Sequence, residues 1–285
     1  MTQRWGLLAA FLVIALVLAS PSPSGAITCD LTTAGSSCTV NGAQYFQADP
    51  RPTGTGVIDS FVRVDTPGGQ VTPSEQGYNT SVRPLPQSGV GGVNQYTNTS
   101  PQFTRDLPLP SVPVQTIGGI AYRKFLLDIN ESNSNAVDAL LTLDQIKIFV
   151  TASALTAPVF TNGFPGATLT GATLIYTLDG PTLDNWVNLN YNLNTGSGSG
   201  DMFLFVPSAL FDSAGFVYLY SQFGCPASGQ ANQCGAGLLT KYAASDGFEE
   251  WAVKGAVQIP EPGTIFLLGI GLVGTGLMWS RRRRP

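Results

Sequence analysis

The sequence predicts an all-β protein, an antiparallel β-sandwich of jelly-roll type, flanked by an N-terminal signal peptide and a C-terminal hydrophobic helix. Three observations predict it. Turn formers are dense, with 33 glycines and 20 prolines in 285 residues, a punctuation that suits short strands better than long helices. Seven short apolar or alternating segments follow residue 117. Each end carries an uninterrupted apolar run with arginine nearby.

In chain order, residues 1–26 read as the signal peptide. Arg4 precedes an apolar run over 7–19, and Ser24-Gly25-Ala26 places small residues at the −3 and −1 positions of a cleavage site. The run is short for a membrane span, which needs about 20 residues. The exported domain is expected over 27–255, and its cysteines fit that compartment. They form two pairs of equal spacing, Cys29 with Cys38 and Cys225 with Cys234. Local pairing would close two small loops, each stabilising by roughly 2–3 kcal/mol; a cross-link between the two ends of the domain is the alternative.

Segment 39–115 reads as loop-rich, with one alternating strand over 57–64 and then, over 66–115, long surface loops with short edge strands around turn signals such as Pro67-Gly68-Gly69. Strands are then expected over 120–129, 139–151, 172–178, 186–193, 202–206, 216–223 and 248–257. In 186–193, Trp186, Asn188, Asn190 and Asn192 alternate with Val187, Leu189, Tyr191 and Leu193, the period of a half-buried strand. Gly196-Ser197-Gly198-Ser199-Gly200 and Asp246-Gly247 mark turns between them.

Composition excludes several functions. No histidine is present, so Ser–His–Asp and Cys–His nucleophilic machinery and histidine-based metal sites cannot be built. Arg4, Arg281, Arg282, Arg283 and Arg284 take five of the 14 basic residues into the terminal segments, and Glu261 is the one acidic residue of 18 there. The middle therefore carries 9 basic against 17 acidic side chains, which disfavours a nucleic-acid partner.

Three candidate sites stand out, and no catalytic residue is assigned. Asp128, Asn130 and Glu131 form an oxygen-rich cluster at a strand end, suited to part of a calcium shell of about 6–8 oxygens. A polar turn is the plainer reading, and no cofactor other than calcium is considered. Glu249 and Glu250 beside Trp251 invite comparison with a glycosidase pair. Adjacent strand residues face opposite ways, so one would need a distant partner such as Asp201; a solvent-facing edge-strand charge is the alternative. Trp186, Tyr191, Tyr218, Tyr220 and Trp251, if exposed, would form a platform for sugar rings; as core they would supply burial.

The last segment, 256–285, is the most specific. Pro260-Glu261-Pro262-Gly263 leads into an apolar, Gly/Leu-rich stretch over 264–279, then Ser280 and Arg281, Arg282, Arg283 and Arg284. Proline stops regular structure and keeps the backbone extended. A transmembrane helix is expected over about 264–280, with the arginines held on the cytoplasmic side as a basic anchor.

This order of a Pro-Glu-Pro triplet, a hydrophobic helix and a terminal arginine cluster resembles the PEP-CTERM sorting domain. The resemblance implies Pro260, Glu261 and Pro262 as the processing motif and a membrane-bound exosortase as the processing partner, after export by the Sec machinery. It implies transit through the inner membrane to the cell surface or extracellular matrix. Within the domain, Phe125-Leu126-Leu127-Asp128-Ile129-Asn130-Glu131, Leu143-Asp144-Gln145-Ile146-Lys147-Ile148-Phe149, Gly198-Ser199-Gly200-Asp201-Met202 and Asp246-Gly247-Phe248-Glu249-Glu250-Trp251 resemble phrases of PEP-CTERM ectodomains. Two roles follow as expectations for a non-enzyme. One is structural or adhesive display; the other is glycan binding in the extracellular polysaccharide, with or without calcium.

Overall fold

Valine, isoleucine, threonine and aromatic side chains fill the segments between turns, and among the described residues they settle into sixteen strands. The computed structural model describes residues 28–48, 58–64, 74–83, 100–134, 136, 138–161, 168–180, 183–212, 214–224, 242–244 and 246–253. Two seven-stranded sheets face each other.

The first sheet has β1 (Thr28–Asp30), β5 (Ser74–Tyr78), β6 (Leu107–Pro108), β9 (Leu140–Thr151), β12 (Thr173–Thr177), β13 (Trp186–Asn190) and β15 (Phe216–Gly224). Its order is β1-β13-β9-β15-β5, with β12 also on β9 and β6 also on β15. The second has β2 (Ser37–Val40), β3 (Ala43–Gln47), β4 (Ser60–Val64), β7 (Val114–Ile117), β8 (Ile120–Asp128), β14 (Met202–Pro207) and β16 (Glu249–Ala252). Here the order is β2-β3-β14-β8-β16-β4, with β7 also on β8. A small ribbon, β10 (Phe160–Thr161) with β11 (Thr168–Leu169), stands apart.

The core lies between the sheets. Leu141, Leu143, Ile146, Ile148, Val217 and Leu219 of the first pack with Tyr45, Phe61, Phe125, Leu127, Leu204 and Trp251 of the second. Polar links cross it. The Tyr45 and Tyr176 hydroxyls meet at 2.6 Å, and Tyr176 donates on to the Val40 carbonyl at 3.1 Å. Trp251 Nε1 donates to Ser221 Oγ at 3.1 Å. The Cys29–Cys38 disulfide joins β1 of one sheet to β2 of the other, with Cα atoms 5.8 Å apart.

The expected all-β sandwich is the observed fold, with corrections. The short edge strands expected after residue 66 are β5, β6 and β7; β3 is an addition, because a non-local ladder supplies hydrogen bonds that the local composition does not advertise. Two of these strands belong to two-residue hairpins. Asn41-Gly42 (φ 49° and 82°) joins β2 to β3, and Gly118-Gly119 (φ 57° and 84°) joins β7 to β8. Positive φ at both central residues matches the right-handed twist of the strands. One pairing is parallel, β1 on β13, so the sheets are not wholly antiparallel. The strand expected over 186–193 stops at Asn190, whose side chain accepts from Asn192 N (3.1 Å) and turns the chain into a 3-10 helix over Tyr191–Leu193.

Candidate functional site

β8 ends at Asp128, and the geometry there explains three of the recurring sequence phrases. The Asp128 carboxylate accepts three backbone N–H groups: Gly198 at 2.7 Å, Ser199 at 3.0 Å and Gly200 at 2.8 Å. Successive amides can turn onto one anion because Gly198 and Gly200 take φ of 79° and 66°. Asp201, the next residue, donates its N–H to Leu127 O (2.7 Å), and its Oδ2 accepts from Ile129 N (2.8 Å). Asn194 closes the corner, donating to Ala48 O and Gly200 O, both at 2.8 Å.

The third phrase enters through β16. Glu250 lies opposite Asp128 in the β16–β8 register and forms an ion pair with Arg63 of β4. The Arg63 guanidinium sits 3.6 Å from the Phe103 ring centroid and 3.8 Å from that of Phe248, a stacking that suits its planar charge. Burial pushes the Glu250 carboxyl up, against the opposing pull of Arg63, with Asp128 adding to the rise. Glu249 shares the inward face of Trp251 and is fully buried. Both glutamates were considered as edge-strand charges; β16 instead lies between β8 and β4, and neither side chain faces solvent.

Each calcium candidate holds a hydrogen-bond partner. Asp128 is committed to the Gly198–Gly200 amides, Asn130 Oδ1 accepts from Tyr191 OH (3.1 Å), and Glu131 Oε2 accepts from Asp246 N (3.2 Å). Among the described residues no group of three or more His, Cys, Asp or Glu is placed to hold a metal ion. The aromatic platform is likewise taken apart. Tyr191, Tyr218, Tyr220 and Trp251 are buried and Trp186 is half-buried. Tyr220 stacks on Phe160 at 4.3 Å, beneath the β10–β11 ribbon.

A second polar cluster carries no motif in the sequence. The β15–β9 ladder pairs Gln222 with Gln145 and then Phe223 with Leu143, so Asp144 falls at the irregularity as the extra residue of a bulge. On the opposite edge of β9, β13 pairs over residues 140–143 and β12 over 147–150. The connection from β12 to β13 fills the gap and brings Asp179 and Asp184. Leu178 N donates to Ile146 O (3.0 Å), Asn185 N to Asp179 Oδ1 (3.2 Å) and Asn185 Nδ2 to Leu178 O (2.8 Å). Asn41, at the tip of the β2–β3 hairpin, donates to the carbonyls of Thr177, Leu178 and Asp179 at 2.9–3.3 Å.

Both oxygens of Asp144 and of Asp184, and Oδ2 of Asp179, are buried without a hydrogen-bond donor. Burial raises all three carboxyls, Asp179 to about 6, Asp184 to about 7 and Asp144 well above the usual range, with mutual repulsion adding to Asp144 and Asp184. Lys147 is fully buried among them; burial lowers its ammonium to about 8 against the pull of the three acids. Its Nζ donates to Gln145 Oε1 at 2.8 Å.

The PEP-CTERM protein-sorting motif matches residues 258–284. The chain carries a PEP-CTERM sorting signal. That places Pro260, Glu261, Pro262 and Arg281, Arg282, Arg283 and Arg284 inside a matched sorting segment, and it makes the chain an exported protein, handled by exosortase and passed through the membrane to the cell surface. No curated protein and no solved structure matches the chain. The sorting residues, Cys225 and Cys234, and the helix expected over 264–280 lie outside the described residues; among the described residues no helix is long and apolar enough to cross a membrane.

Proposed function

We propose that the β-sandwich is a structural or adhesive domain, displayed at the cell surface or in the extracellular polysaccharide matrix and working without catalysis. One observation carries this reading. The Asp128, Asp201 and Glu131 carboxylates, which lie in or beside the phrases the sequence marks as distinctive, accept backbone N–H groups and so fix three chain segments to one another. A carboxylate held this way serves the scaffold. The sorting motif adds the delivery route. Strand β16 is clamped between two neighbours, and residues 253–259 separate it from Pro260. Seven residues reach at most roughly 25 Å, so the sandwich is presented close to its attachment point.

The test is a comparison of native-host cells carrying the chain with cells lacking it. Loss of cell–cell or surface adhesion, together with no saturable binding of the purified protein to polysaccharide extracted from the same host, is the expected result. Saturable binding to that polysaccharide would replace this reading with a glycan-binding one.

A further inference from the structure

The Asp144, Asp179 and Asp184 carboxyls meet where three chain segments join, and no hydrogen-bond donor among the described residues reaches most of their oxygens. Asp179 and Asp184 nevertheless lie within side-chain hydrogen-bonding reach of each other. Two carboxylates are both acceptors, so such a bond exists only when one of them carries a proton. Asp144 is fully buried at the β9 bulge, where an ionised carboxylate with no hydrogen-bond donor is disfavoured, the Lys147 charge opposing only part of that cost.

We infer that the connection from β12 to β13 is held by a proton-locked latch, in which a proton shared between Asp179 and Asp184 and a neutral Asp144 let it pack against the β9 bulge. Loss of those protons loosens it. The inference is independent of the adhesive reading and concerns how the domain responds to its surroundings once outside the cell.

Among the described residues, the titratable groups around the latch come from three elements. β9 contributes Asp144 and Lys147, the connection contributes Asp179 and Asp184, and β12 contributes Tyr176. Tyr45 of β3 reaches Tyr176 across the core, and the Tyr220 ring of β15 lies 5.7 Å from Lys147 Nζ. Burial holds both tyrosines of the core pair well above the physiological range, so they stay neutral throughout.

The direction follows from linkage. The folded carboxyls hold protons that the unfolded chain, near 3.8, releases. The stability they contribute is present below that value and is lost as pH rises through the folded values of about 6 and about 7. Lys147 has the opposite effect only at higher pH, because its folded value of about 8 lies below its unfolded 10.5. Stability lost through the carboxyls is therefore restored in part above about pH 8.

The experiment measures amide hydrogen exchange of Asp179, Gly180, Asp184 and Asn185 in the full-length chain in detergent, corrected for intrinsic rates, at about pH 5 and about pH 7.5. Protection in the wild type is expected to fall at least about tenfold, the equivalent of one unit on one carboxyl. Asp144→Asn and Asp184→Asn mimic the protonated forms and should reduce that fall to less than about threefold. Equal protection at both pH values in the wild type would overturn the latch. So would added calcium restoring protection at the higher pH in the wild type but not in Asp144→Asn, since a cation and not a proton would then be the fastener. If a variant fails to fold, the wild-type pH and calcium arms still decide.

Discussion

The Asp128 carboxylate anchors three successive backbone amides. Asp128→Ala would strand those N–H groups and is expected to destabilise the fold by about 2–4 kcal/mol, whereas Asp128→Asn, keeping one acceptor oxygen, should lose less. Urea unfolding of the two variants checks the ranking. Gly247 shows a backbone constraint at the same corner. It takes φ of 71°, and a Cβ there would lie 1.9 Å from the Asn130 carbonyl oxygen. Gly247→Ala should therefore cost about 2 kcal/mol or more, even though the position is a turn that tolerates exchange elsewhere. A melting temperature unchanged from wild type would contradict that close approach.

At the scale of elements, the two sheets are fastened at one edge by Cys29–Cys38, which joins β1 to β2 across the sandwich. The loop it closes is short, so reduction or a Cys29→Ser, Cys38→Ser pair is expected to cost about 2–3 kcal/mol, chiefly through the unfolded chain. Equilibrium unfolding with and without reductant measures it. The hairpins were legible in hindsight. Asn41-Gly42 is a strong short-range hairpin signal, but the segment around it is so rich in turn formers that the dipeptide does not stand out. The bulge at Asp144 also left a trace in the sequence. Apolar residues fall on odd positions at Leu141 and Leu143 and on even positions at Ile146 and Ile148, a phase change that period-2 alternation forbids unless one residue is added.

For the whole molecule, the sorting signal and the sandwich are separable in function. Replacing Pro260, Glu261 and Pro262 with alanine should leave the fold untouched and stop processing. Intact mass of the chain recovered from its host would then retain Arg281, Arg282, Arg283 and Arg284. The unaltered chain should lose them along with residues 1–26. A processed triple-alanine variant would remove the triplet from the recognition motif. The strand nearest this tail, β16, is wedged between β8 and β4. Truncation before Glu249 should therefore abolish folding, not merely shorten an edge, as loss of the folded far-ultraviolet signal would show.

The sequence by itself determined the fold class, the sorting tail and most strands after residue 117, because alternation, turn residues and a terminal arginine cluster are local signals that need no partner. It also marked the phrases around Asp128, Asp201 and Glu250 as distinctive. Only the tertiary structure decided what they do. Asp128 and Ser199 are distant in the chain, and no local rule says that a carboxylate will spend its lone pairs on a glycine loop. The same holds for Trp251 and Tyr220, whose polarity and size fit an exposed platform as well as a core until the opposing sheet and the β10–β11 ribbon cover them. Burial is a property of partners, and partners are set by long-range strand order, which the amino-acid sequence encodes only through the whole of the packed chain.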